Sequence, residues 1–242
     1  MKPSSMTQEK KLLLTMTGEI FHPTRLYYHL FDQNALLRIF SKLDCMDYGK
    51  TYDRWVWLYQ GKARKLKFSQ TPSYLPKQAG PIVLGSFFLR SSNGAHLDLR
   101  SFERATKAIV FFDKYIPRKV ASVTDIAIVN ACFDFSAEPP MDFNEFFETD
   151  RVRERKPEAL LEELQSFKEI TDLEERRSRV FSHIEAMVTE SLPEVERFPV
   201  NYYEDGIKLL EASLRMRETV LLEHWKGNKD FTLFDVIGSV IR

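Results

Sequence analysis

A basic and aromatic segment near residue 60 carries the side chains of this sequence that are best suited to binding chemistry. Aromatic residues recur there at alternate positions, and the candidate binding residues are Arg54, Trp55, Trp57, Tyr59, Lys62, Arg64, Lys65 and Lys67. Aromatic rings stack on unpaired bases, and cations bind the phosphates of the backbone. The segment therefore predicts a non-catalytic protein that binds single-stranded nucleic acid or takes part in nucleoprotein assembly. It does not distinguish RNA from DNA.

The same alternation allows a second interpretation of this segment. In a strand, Trp55, Trp57 and Tyr59 share one face, because successive side chains point to opposite sides. If that face is the core, the lysines and arginines only solvate an edge strand, and no base reaches the rings. The sequence leaves both interpretations open.

Sequence motifs for catalysis, cofactors and metals are missing from the chain. It contains neither GxxxxGK[ST] nor GxGxxG, and it has no GxSxG, HExxH or CxxC pattern. No two of its histidines are four residues apart; they are His22, His29, His96, His183 and His224. We therefore expect no cofactor and no metal, and the catalytic residues of any enzyme activity stay unknown. The sequence favours a binding protein, with an enzyme site assembled from scattered His, Asp and Glu residues as an alternative.

The charge of the chain is divided between its two halves. The formal net charge is zero, but residues 1–120 carry 20 Lys and Arg against 9 Asp and Glu, whereas residues 121–242 carry 15 against 26. Such an asymmetry points to an anionic partner for the first half, or to docking of one half on the other. Both interpretations depend on the same Coulomb attraction, so charge alone does not choose between them.

An acidic and aromatic stretch follows the basic half. Five phenylalanines are interspersed there with five carboxylates, which are Asp134, Glu138, Asp142, Glu145 and Glu148. The stretch is either a solvated linker whose rings dock on the core, or a segment that covers the basic half or binds a partner. Together with the charged helices beyond it, it suggests a second function, that of a protein–protein scaffold or adaptor.

The elements that position these residues are predicted from periodicity and from Gly and Pro. Strands are expected at residues 11–21, 52–59, 63–68, 82–90, 96–100 and 120–133, a turn at 47–49, and helices at 24–43 and 102–116. For residues 120–133 a helix is the alternative. Ser101 is the expected cap of the second helix. This order is that of a ferredoxin-like split βαβ sandwich with an added hairpin. Helices at residues 158–167, 172–191 and 202–225 then complete an α+β fold with an α-helical C-terminal part.

The composition suggests three parts along the chain. These are a basic α+β domain at residues 1–136, an acidic and charged linker at 137–156, and an acidic helical region at 157–242. Cys45 and Cys132 are too few for a disulfide framework. The first residues lack the apolar run of a signal peptide, and no run is long enough to span a membrane. We therefore expect a cytoplasmic location, and the sequence does not set the oligomeric state.

Overall fold

One eight-stranded sheet forms the frame of the molecule. The computed structural model describes residues 10–68, 80–90, 93–137, 142–155, 162 and 165–241. The strands are β1 (Thr24–Leu30), β2 (Met46–Gly49), β3 (Arg54–Leu58), β4 (Val83–Arg90), β5 (Gly94–Leu99), β6 (Ala121–Val129), β7 (Val152–Glu154) and β8 (Val195–Pro199). Their spatial order is β2-β3-β4-β5-β1-β6-β8-β7. Neighbouring strands are antiparallel except β7 and β8, which are parallel.

The α-helices of the described residues follow or flank these strands. They are α1 (Gln33–Phe40), α2 (Phe102–Tyr115), α3 (Asn144–Phe147), α4 (Leu173–Thr189), α5 (Tyr202–Asp205), α6 (Lys208–Trp225) and α7 (Leu233–Ile241), with 3-10 turns at Lys50–Tyr52, Gly61–Lys65 and Phe167–Glu169. Helices and a mixed sheet together confirm the predicted α+β class. Within the described ranges, no helix is both long enough and apolar enough to cross a bilayer.

The core lies between the sheet and the helices α1, α2 and α6. On β1, Leu26, Tyr28 and Leu30 alternate toward this side, which we call the helix face, and they join one buried cluster with residues of all three helices. Apolar residues of α2, and the residue that follows it, are buried there as well; they are Phe102, Ala105, Ile109, Phe112 and Ile116. Ser101 caps α2 as predicted, because its hydroxyl accepts a hydrogen bond from the Arg104 amide at 3.1 Å.

At the start of the chain, the predicted strand at residues 11–21 is wrong, and the predicted helix at 24–43 is correct only over Gln33–Phe40. Residues 24–30 form β1 and not a helix; Leu26 and Leu30 are four apart, a spacing that suits one face of either element. Pairing with β5 and β6 on both sides decides for the strand. Residues 11–21 form only isolated bridges, because the chain turns back at Gly18, where φ is 87°.

The predicted hairpin after β3 is also wrong. Residues 63–68 do not return as a strand, since both hydrogen-bonding edges of β3 are already occupied by β2 and β4. The chain instead forms the 3-10 turn Gly61–Lys65, which starts at a positive φ of 50° at Gly61. Residues 47–49, predicted as a turn, belong to β2, which fills the edge that the second strand was expected to use.

Strands from beyond residue 136 join the same sheet. β7 and β8 come from the stretches predicted as linker and as helical region, and β8 pairs with β6 over five residues. Within the second half, Arg217 of α6 donates to the buried carboxylate of Glu196 on β8, with Nε to Oε1 at 2.6 Å. The boundaries at residues 136 and 156 stay predictions, while the sheet itself crosses both.

We expect Gly85→Ala to lower the stability of the fold. Gly85 lies opposite Trp57 in the β3–β4 register, and an added Cβ would lie 2.7 Å from Leu99 Cδ2 and 2.8 Å from the Asp98 carbonyl oxygen. Such overpacking costs about 1–3 kcal/mol of unfolding free energy, which urea denaturation measures as a lower midpoint. Gly80→Ala is the control, because nothing lies within 4 Å of its Cβ position. Equal midpoints for the two variants would contradict this account of the helix face.

Candidate binding groove

A groove of about 610 Å³ lies on the sheet face opposite α1 and α2. Strands β3, β4 and β5 form its floor, and residues 142–148, which we call the acidic segment, form one wall. The polar and aromatic side chains at the groove come from Tyr52, Arg54, Ser86, Phe88, His96, Asp98, Arg100, Asp142, Phe143, Asn144 and Glu148. We call this side of the sheet the groove face.

Strand alternation explains which side chains reach the groove face. On β5, Ala95, Leu97 and Leu99 are buried in the core, so His96 and Asp98 point to the other side. Arg100 lies two residues after Asp98, and its side chain therefore points to the same side. On β3, Trp57 belongs to the core, and Arg54 therefore faces the groove. Because β4 and β5 are neighbours and β3 adjoins β4, these polar side chains converge on one surface.

The buried guanidinium of Arg25 on β1 anchors the acidic segment to this face. Its Nε donates to Asp98 Oδ1 at 2.6 Å, and its Nη2 donates to Asp98 Oδ2 at 3.0 Å and to Asn144 Oδ1 at 2.8 Å. The ring of Phe147 lies 5.2 Å from the guanidinium. Burial raises the pKa of Asp98, and the charge of Arg25 opposes that shift. The pair thus holds one wall of the groove in place.

His96 lines the groove as a neutral ring. It stacks on Phe88 with ring centroids 5.1 Å apart and planes 17° apart. Arg90 Nε donates to its Nδ1 at 3.2 Å, which assigns the ring proton to Nε2. Burial lowers the pKa of His96 to about 3, and the charges of Arg25 and Arg90 add to the shift. Arg90 is itself paired with Glu148, with Nη2 to Oε1 at 2.6 Å.

Two arginines at the other end of the groove have no counter-ion within the described part of the chain. Neither Arg54 nor Arg100 forms an ion pair with any carboxylate of the described residues. The guanidinium of Arg54 lies 5.0 Å from the ring of Tyr52, which is 69% exposed. The Nε of Arg54 is buried and has no hydrogen-bond partner among the described residues. Partial burial and the charge of Arg54 lower the pKa of Arg100. This end of the groove therefore carries two like charges beside an accessible ring.

The aromatic residues predicted from the sequence lie mainly on the helix face. Trp57 is fully buried, with ring centroids 5.2 and 5.0 Å from those of Phe111 and Phe112. Trp55 and Tyr59 are half-buried and pack against the same cluster. The alternation was predicted correctly, and the interpretation in which the aromatic side is the core holds for Trp57. Arg54 is the predicted residue that reaches the groove.

The remaining predicted residues lie on or just after the 3-10 turn Gly61–Lys65. We call Lys62, Arg64, Lys65 and Lys67 the basic turn. All four are exposed, and none forms an ion pair with the described carboxylates. Lys62 Nζ lies 5.0 Å from the ring centroid of Tyr115 on α2, which places it toward the helix side of the sheet. The structure thus separates the basic turn from Arg54.

Sequence reasoning missed most of the groove. The signal for β5 was present, because His96, Asp98 and Arg100 alternate with three apolar residues. The register that sets β5 beside β4, and β4 beside β3, is a long-range property that one strand does not encode.

For metals, the described residues hold no group of three His, Cys, Asp or Glu side chains placed to bind an ion.

Comparisons with known proteins add no assignment. No protein-family model matches this chain, and no curated protein or solved structure shows significant similarity to it. The functional argument therefore depends on the geometry and charge of the groove.

We expect His96 to make the fold less stable in acid. In the unfolded chain its imidazole takes up a proton near pH 6.5, whereas the folded protein resists protonation until about pH 3. The stability that depends on neutral His96 is present above pH 6.5 and is lost as the pH falls toward 3. Between pH 7 and pH 5 the loss is about 2 kcal/mol, and His96→Gln should remove it from urea unfolding curves.

The matched control for this measurement is His29→Gln. His29 lies on β1 and is exposed, so its replacement should leave the pH dependence unchanged. If His96→Gln and wild type lost the same stability between pH 7 and pH 5, the neutral state of His96 would be wrong.

Proposed function

We propose that the protein binds single-stranded nucleic acid in the groove, without catalysing a reaction. The observation that carries the proposal is the pair Arg54 and Arg100. Both are positively charged, neither has a counter-ion among the described residues, and they lie beside the exposed ring of Tyr52. A phosphate diester bound between the two guanidinium groups would relieve their repulsion. Arginine suits this role, because its planar fork makes two hydrogen bonds to phosphate oxygens.

The other parts of the groove fit a nucleotide as well. Tyr52 and the half-buried Phe88 offer rings for stacking, which requires bases that are not paired in a duplex. Asp142 and Glu148 line the acidic side of the groove, where carboxylate oxygens accept hydrogen bonds from base amino groups. A ligand with phosphates at one end and amino-bearing rings at the other therefore matches the groove better than a simple polyanion does.

The arrangement of strands supports this proposal from the fold. We propose that β1, α1, β4, β5, α2 and β6 form a ferredoxin-like split βαβ unit, with the hairpin β2–β3 inserted before β4. The antiparallel order β4-β5-β1-β6 and the position of both helices on one face support it. In RNA-recognition sandwiches, bases stack on the sheet face opposite the helices. A cytoplasmic location remains part of the proposal on sequence grounds.

The basic turn is the second element of the proposed interface. Lys62, Arg64, Lys65 and Lys67 are exposed and have no described carboxylate partner, so they suit contact with phosphates. The described rings next to them in sequence, Tyr59 and Phe68, pack against each other with centroids 5.6 Å apart and so do not offer a free face to a base. We assign them a share of the electrostatic attraction and assign base contacts to the groove.

Fluorescence anisotropy with labelled RNA and DNA 12-mers tests this assignment. We expect Arg54→Ala with Arg100→Ala to weaken binding by about tenfold or more, since each hydrogen bond to a charged group contributes roughly 1.5–3 kcal/mol. Tyr52→Ala should weaken it by about fivefold or more through lost stacking. The slope of affinity against salt should fall by about 1.4, because each lost phosphate contact contributes about 0.7 for a single strand.

The matched control removes the same charge from the basic turn. Arg64→Ala with Lys65→Ala should lower the salt slope but keep the stacking contribution of Tyr52. Absence of binding at low salt would refute the proposed function. Equal losses in the two double variants, or a loss confined to the basic-turn variant, would show that the groove is not the site.

A further inference from the structure

Helix α4 presents an apolar surface that the described chain leaves uncovered. Leu173, Phe181 and Ile184 are 51%, 64% and 47% exposed, and no residue of the helix is fully buried. A different stripe faces the protein: Arg176, Val180, His183 and Met187 are half-buried at helical spacing, and α4 contacts α7. The helix therefore has one stripe that packs within the chain and another that meets solvent.

The charges on the outer stripe are self-complementary. Arg177 lies four residues before Phe181 and Glu185 lies four residues after it, so all three share one side of the helix. If a second copy of α4 lies antiparallel with its Phe181 against the first, each Arg177 faces a Glu185. Two-fold symmetry creates this pair twice.

We infer that α4 is the contact surface of a homodimer with its two α4 helices antiparallel. Both charged residues are available for the contact. Glu185 forms no ion pair among the described residues, and Arg177 forms only an exposed pair with Glu174, at 3.0 Å. A partner of one charge sign would satisfy only one of the two residues, whereas a second copy satisfies both. This favours self-association over another protein.

The size of the contact sets the expected affinity. One pair of helices buries less than the roughly 1,600 Å² of a standard interface, so we expect dissociation in the micromolar range. The α4 surface shares no residue with the groove, and failure of one proposal leaves the other unaffected.

Analytical ultracentrifugation of the full chain tests the dimer. We expect the mass to rise from 28.4 kDa toward twice that value between low micromolar and a few hundred micromolar protein. Phe181→Glu should keep the chain monomeric over the same range. Phe135→Glu is the control, because Phe135 is 70% exposed but lies outside α4, and it should still dimerise. Circular dichroism confirms that both variants fold.

Charge reversal tests the antiparallel arrangement. Arg177→Glu and Glu185→Arg should each weaken dimerisation by about tenfold, since each places like charges together twice. The double variant should restore the affinity of the wild type, because it exchanges the partners of both pairs. A wild type that is monomeric at all concentrations, a dimer that survives Phe181→Glu, or a double variant without restored affinity would overturn the inference.

Discussion

The ion pair between Arg25 and Asp98 is the interaction on which the groove face depends. It joins the central strand β1 to its neighbour β5 in a place where a lone charge would lack solvent, so removing either partner would leave the other uncompensated. The same guanidinium holds Asn144 and approaches Glu148, and Glu148 in turn pairs with Arg90. The buried Arg25 thus holds the acidic segment together with Arg90 and with the apolar contacts of Phe147.

That network also shows how far the acidic half of the chain neutralises the basic half. Among the described residues, the arginine–carboxylate pairs that join the two halves are those of Arg25 and Arg90 with Glu148. The other buried arginines are satisfied within their own half, as Arg104 is by Glu19 and Arg217 by Glu196. The acidic half therefore neutralises only a small part of the basic half. Docking of one half on the other therefore accounts for these few residues, and an anionic partner for the remaining positive charge stays a proposal.

Sequence patterns predicted correctly those elements whose structure is determined by nearby residues alone. The cap of α2 and the alternation of β3 were each predictable from nearby residues, and the strand that became β6 was the preferred of two interpretations. Prediction failed where two structures share a spacing, as in residues 24–30, or where a distant strand decides, as for residues 63–68, which found no free edge on β3. The groove was missed for the second reason, because distant strands bring its residues together. Arg54 was predicted because it lies in a strand with clear aromatic alternation. Arg100 reaches the groove only because strand register sets β5 beside β4.

The sheet ends in two short strands, and this affects how the protein behaves at high concentration. β2 has four residues, with Asp47 exposed, and β7 has three, with Arg153 and Glu154 exposed. Free backbone donors and acceptors at a sheet border can recruit strands from other molecules, and shortness and charge oppose this. The two border strands therefore offer little backbone on which strands of other molecules could add.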